Sequence, residues 1–122
     1  MTTQPTTDIQ LPSERLEAYS IAIEFHRRLV PLARQRGLAS LRDQLMRAAD
    51  SVVLNLAEGA GRLARDDKRR FYEIALGSMM ESAAVLDLLR NRQNISADEH
   101  REIRAVAVRL YQILSRLTGP PR

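Results

Sequence analysis

The stretch from Leu41 to Gly61 reads Leu-Arg-Asp-Gln-Leu-Met-Arg-Ala-Ala-Asp-Ser-Val-Val-Leu-Asn-Leu-Ala-Glu-Gly-Ala-Gly. Leu41, Leu45, Ala48, Ala49, Val52 and Leu56 recur at three- and four-residue steps. That spacing puts them on one face of an α-helix. Ser40 with Asp43 three residues on matches a capping box, in which the serine oxygen accepts from a free amide and the acid reaches back. Gly59 and Gly61 mark the end, with Gly59 expected in a left-handed cap.

The same period continues outward in both directions. Downstream, Asp66 and Asp67 stand where a helix start carries partial positive charge. Phe71, Ile74, Ala75, Ser78, Met79, Ser82, Val85, Leu86 and Leu89 then line one side of a third helix. Ser96 with Glu99 caps a fourth, whose stripe is Ile103, Val106, Ala107, Leu110, Ile113, Leu114 and Leu117. Upstream, a first helix runs from Ser13 into the mid-thirties. Its stripe is Leu16, Tyr19, Ile23, His26, Val30 and Ala33, widened by Ala22, Phe25 and Leu29. Pro31 kinks it or ends its regular part, and Gly37 is its terminator. No proline occurs from Leu32 to Gly119, and no period-two alternation of β-branched residues is sustained. Short connections force neighbouring helices to be antiparallel. The fold class is therefore all-α: an up-down-up-down antiparallel four-helix bundle over residues 13–118, with a polar arm at 1–12 and a tail at 119–122.

At 122 residues and 13.8 kDa the chain has the size of one domain. It has no cysteine, which removes disulfides and thiolate chemistry and fits a reducing cytoplasm. Its start lacks the basic and apolar stretches of a signal peptide, and no apolar run approaches the roughly 20 residues of a membrane span. A cytoplasmic protein without a membrane partner is the expectation. The net charge is +4, and 18 of the 19 basic residues are arginine, Lys68 being the lone lysine. Base composition of the genome explains such a bias; so does selection for phosphate binding, which the planar guanidinium suits.

Small residues at Ala48, Ala49, Ala75, Gly77, Ser78 and Ser82 predict close helix approach. Gly77, in mid-helix, costs about 1 kcal/mol of propensity against alanine. Tight packing against helix two would offset that. Helix two also carries Met46, Val53, Leu54 and Ala57 outside its stripe, and helix three Leu76, Met80, Ala84 and Leu88. One bundle core needs only about three apolar positions in seven. The surplus predicts a second buried surface, most simply between subunits.

Gln44 to Glu81 carries two paired motifs: Asn55-Leu56-Ala57-Glu58-Gly59 at a helix end, and Ala75-Leu76-Gly77-Ser78-Met79-Met80-Glu81 in the next helix. In these the chain resembles the four-helix bundle proteins encoded in intervening sequences of bacterial 23S rRNA genes. Leu56 stands where the family usually has isoleucine. The resemblance extends over about 100 residues, more loosely through Tyr19 and Ala22. It implies a cytoplasmic homopentamer, a barrel of bundles around a central channel. A related branch, the accessory variability determinant of diversity-generating retroelements, is a basic pentamer that binds nucleic acid and a reverse transcriptase.

Asn55 and Glu58 share a helix face. They form either a polar site or a structural pair, Asn55 bonding a neighbouring helix and Glu58 bonding Arg62. Gly59-Ala60-Gly61-Arg62 reads as an anion-binding nest or as a plain helix exit. Di-metal bundles need Glu-x-x-His; the residues three before His26 and His100 are Ile23 and Ala97, so no metal or other cofactor is expected. His26 is expected to be held by a hydrogen bond and His100 to be solvated. With no nucleophile-base-acid pattern either, no catalytic residue emerges, and the expectation is a protein that is not an enzyme.

Charge placement remains. Arg62, Arg65, Lys68, Arg69 and Arg70 put five cations within nine residues at the turn between helices two and three. An antiparallel bundle brings Arg116, Arg122 and Arg15 to the same end, and gathers Arg34, Arg36, Arg42, Arg90, Arg92 and Arg101 at the other. The cluster is either a solvated, ion-paired face or a surface that tracks nucleic-acid phosphates. A symmetric oligomer would repeat it around a ring. No aromatic interleaves with these cations, so contact with RNA or DNA is expected through the backbone and not by base stacking. The competing expectation is a scaffold that binds another protein through an apolar surface.

Overall fold

The computed structural model describes residues 9–34 and 39–120. Residues 1–8 of the expected arm, Arg36, Gly37 and Arg122 lie outside the described residues. Pro12–Arg15 form a 3-10 turn and Leu16 is extended. Four helices follow: α1 (Glu17–Ala33), α2 (Ala39–Gly61), α3 (Arg65–Asn91) and α4 (Ala97–Thr118). The described residues contain no strand.

Gln44 on α2 meets Glu81 on α3, while Gly59 meets Tyr72, so these helices run antiparallel. Asp87 on α3 meets His100 on α4, and Met80 shares a groove with Tyr111, which gives the same relation. α1 packs on both α2 and α4 and closes the ring, and among the described residues the diagonal pairs make no backbone contact. The enclosed core holds Phe25, Leu29, Leu45, Leu56, Leu86, Leu89, Leu110 and Leu114, each at most 1% exposed. Each such side chain contributes about 1.5–3 kcal/mol of burial free energy.

The helix ends follow local chemistry. Ser96 caps α4, its Oγ accepting from the Glu99 amide at 3.0 Å. Gly119 stops α4 with φ 71°, a backbone open to glycine and strained for other residues. Asp66 and Asp67 lie in the first turn of α3, against its positive pole.

Several expectations are corrected. α1 begins at Glu17, not Ser13, because Pro12 starts a tighter turn and Leu16 breaks the spiral. Its core face is Ala18, Ile21, Ala22, Phe25, Leu29 and Leu32; Tyr19, Ile23, His26 and Val30 form a half-buried flank. Ser40 sits inside α2, one residue past its start, and is not its cap. On α3 the ring turned inward is Tyr72; Phe71 is half-buried and Ile74 is 45% exposed.

The two glycines exchange roles. Gly77 is exposed, and a Cβ there would meet nothing within 4 Å. No close approach offsets its propensity cost. Gly59 is the buried one. It lies within α2 and has no left-handed φ. A Cβ there would come within 2.7 Å of Tyr72 Cε1 and 3.1 Å of Phe71 Cβ. The absence of a side chain at Gly59 lets α3 set its aromatic pair against the last turns of α2.

Candidate nucleic-acid interface

A polar row runs along the junction of α2 and α3. Gln44 Nε2 donates to Glu81 Oε1 at 3.1 Å, and the hydroxyls of Ser51 and Ser78 lie 2.7 Å apart. Asn55 Nδ2 donates to the Ser51 carbonyl at 2.8 Å and to its Oγ at 3.0 Å. Ser82 turns back to the Ser78 carbonyl. Among the described residues no buried side-chain polar atom lacks a partner. The row therefore holds register between two helices without a desolvation penalty. Asn55 thus reaches α3 only through Ser51. Ser51 and Gln44 were not singled out in the sequence. Their signal was the seven- and four-residue spacing 44, 51, 55, which places three polar side chains on one helix face.

The row ends at the turn that carries the cations. Each is held differently. Glu58 Oε1 accepts from Arg62 Nη2 at 2.5 Å, the structural pairing expected of Glu58. Lys68 Nζ donates to the carbonyls of Ala60 at 2.9 Å and Gly59 at 3.3 Å. These are terminal carbonyls of α2, so the ammonium acts as that helix's cap and neutralises its negative pole. Arg69 Nε donates to Glu73 at 2.9 Å, and its Nη2 donates to the Pro120 carbonyl, which ties the end of α4 to the start of α3. Arg65, Arg70 and Arg116 are exposed and form no ion pair with any described residue.

Phe71 changes the character of this end. The Arg62 guanidinium carbon lies 4.9 Å from its ring centroid and that of Arg70 lies 5.0 Å away. The expectation that no aromatic interleaves with the cations is thus corrected. Phe71 directly follows Arg70 in sequence and was assigned to the core, which hid it. Leu63, in the turn itself, is 98% exposed. Burial of the neighbouring Tyr72 pushes its phenol above the ordinary value of 10.0.

At the opposite end Arg90 donates to the Ile95 carbonyl at 3.4 Å and Arg101 pairs with Asp98, while Arg34 and Arg92 are exposed. His26 Nε2 lies 2.7 Å from Asp50 Oδ1, joining α1 to α2. His100 is not solvated as expected: its Nε2 lies 2.8 Å from Asp87 Oδ1 and its side chain is 20% exposed. No three His, Asp or Glu side chains converge among the described residues, and none of the described helices is long and apolar enough to cross a membrane.

The surplus apolar residues divide. Met46, Val53 and Leu76 are half-buried against the core. Leu54, Met80, Ala84 and Leu88 are exposed. Met80 and Ala84 line an open groove between α3 and α4 with Ala83, Val108 and Tyr111.

The model of the 23S rRNA-intervening sequence protein family matches residues 14–116. The chain belongs to this family. Among solved structures it is similar to a protein of unknown function from the S23 ribosomal protein family of Bacteroides thetaiotaomicron VPI-5482. The two share 21% identity and a TM-score of 0.78, covering 84% of this chain and 99% of that one. The likeness is one of fold. No curated protein matches the chain. Within the family motifs, Ser78, Glu81 and Asn55 belong to the polar row, Gly59 admits Tyr72, and Glu58 pins Arg62. Gly77, also a motif residue, is exposed, and a Cβ there would meet nothing within 4 Å.

Proposed function

We propose that this family member is a non-enzymatic accessory protein that binds the phosphate backbone of RNA or DNA, without a cofactor, through arginines at the α2–α3 end of the bundle. The observation that carries this reading is the trio Arg65, Arg70 and Arg116, exposed at one end and in no ion pair with a described residue. Lys68 leaves the binding set because α2 occupies its ammonium. Arg62 and Arg69 belong at the edge of the surface, since each already serves a carboxylate. The cluster is weak in one chain. Repetition in a cytoplasmic homo-oligomer, the pentamer implied by the family resemblance, would raise its avidity.

Salt titration tests this. Log affinity for a nucleic acid should fall linearly with log salt, by about 0.7–0.9 per phosphate neutralised. Replacing Arg65, Arg70 and Arg116 together by serine should remove binding and leave the melting curve unchanged. Unaltered affinity in that variant, or no polyanion bound at low salt, overturns the proposal. The second reading, a protein-binding scaffold, rests on the apolar groove of Met80, Ala84, Val108 and Tyr111. It gains if nucleic acid fails to bind.

A further inference from the structure

We infer that the α2–α3 turn is a platform for unpaired nucleotides, so that the protein prefers single-stranded nucleic acid to duplex. This rests on the nucleic-acid reading above and gives it a substrate class.

Three observations converge within ten residues, Arg62 to Phe71. First, two arginines are oriented by an aromatic ring: both Arg62 and Arg70 lie about 5 Å from the Phe71 centroid. A guanidinium held over a ring has its χ freedom already restricted. Its second face is then a preformed plane on which a base can stack. Second, Leu63 is 98% exposed, the most exposed of the large apolar residues described, and nothing in the bundle uses it. A lone leucine in water is ordinary on its own. Here it stands next to Arg62 and two residues before Arg65. An exposed apolar side chain flanked in sequence by cations fits a ligand that is flat and apolar on its faces and anionic along its edge. Third, Arg65 and Arg70 form no ion pair with a described residue and are close enough in sequence to take the phosphates that flank such a base.

An unpaired nucleotide has that chemistry. In a duplex the base faces are closed by stacking, and only phosphates and groove edges are offered. Duplex could then use Arg65 and Arg70 but neither the exposed Leu63 nor the outer side of the Arg62 guanidinium that Phe71 holds. Asp66 and Asp67, at the start of α3, face the same end and limit how much anionic charge it takes. That raises the share of affinity that stacking must supply.

Fluorescence anisotropy on the full chain, at fixed low salt, tests this with labelled oligouridine, oligothymidine and a duplex of the same length. Both single strands should bind more tightly than duplex. Leu63→Ser and Phe71→Leu should each weaken single-strand binding by about tenfold, the scale of one lost base stack. Neither should change duplex affinity or the slope of log affinity against log salt. Duplex bound as tightly as single strand, or Leu63→Ser binding single strands like the parent, overturns the inference and leaves backbone binding standing. No binding of any of the three probes overturns both. Leu63→Ser alone decides the matter if Phe71→Leu disturbs the seat of Tyr72, because an almost fully exposed side chain contributes nothing to the core.

Discussion

On one flank α3 meets α2 through Tyr72, Ser78 and Glu81; on the other it meets α4 and leaves Met80, Ala84 and Leu88 in solvent. The α2 flank is fixed by side-chain size and by paired polar atoms. A missing Cβ at Gly59 admits a ring, and hydroxyls 2.7 Å apart set the register. Few other sequences satisfy both conditions. The α4 flank has an apolar lining and an open shape, and many apolar side chains would fill it as well. Both family motifs lie on the helices of the demanding flank. In the proposed oligomer, the tolerant flank is the surface available for assembly.

Three variants break or sharpen this contrast. Gly59→Ala should do most harm. The new methyl would meet a buried tyrosine ring at 2.7 Å, and such overpacking costs about 1–3 kcal/mol, more than the helix propensity gained. Thermal melting followed by circular dichroism should show a Tm several degrees lower; an unchanged Tm would mean that Tyr72 yields and the seam is tolerant too. Gly77→Ala should move the opposite way. Its Cβ enters open space, so the helix gains about 0.5–1 kcal/mol and Tm rises. A fall would reveal a contact on that face made by another molecule. Smallest in folding energy is the pair Met80→Ser with Leu88→Ser, exposed by 55% and 44%, each expected to shift stability by no more than about 0.5 kcal/mol. Light scattering on a sizing column should nevertheless show the assembly reduced to a 13.8 kDa species. An assembly that survives both changes would place the subunit interface elsewhere.

Much of the fold was legible because long helices repeat one signal. The four helices, the Ser96 cap, the Gly119 stop and the Glu58–Arg62 pair all follow from spacing within about one turn. What failed required knowing the partner. α1 carries two adjacent stripes, Tyr19-Ile23-His26-Val30 and Ala18-Ala22-Phe25-Leu29, which share one period; only the position of α2 and α4 chooses between them. Gly77 and Gly59 look alike in sequence, and the facing ring of Tyr72 separates them. Phe71 and Tyr72 are neighbours, one turned inward and one set at the rim, which no periodicity resolves. The cation cluster was legible as charge, but its internal assignments were not. Which arginine faces a carboxylate, a carbonyl or a ring depends on a turn geometry that alternation of charge does not encode.

Lys68 carries the chain's one side-chain amine, and that amine is engaged by the last carbonyls of α2. Any acylating reagent or acetyltransferase aimed at lysine must first draw it out of that seat. The extent of labelling at this position is therefore a built-in gauge of how often the α2–α3 turn opens. A single acetyl mark there would at once loosen the helix end and silence the gauge.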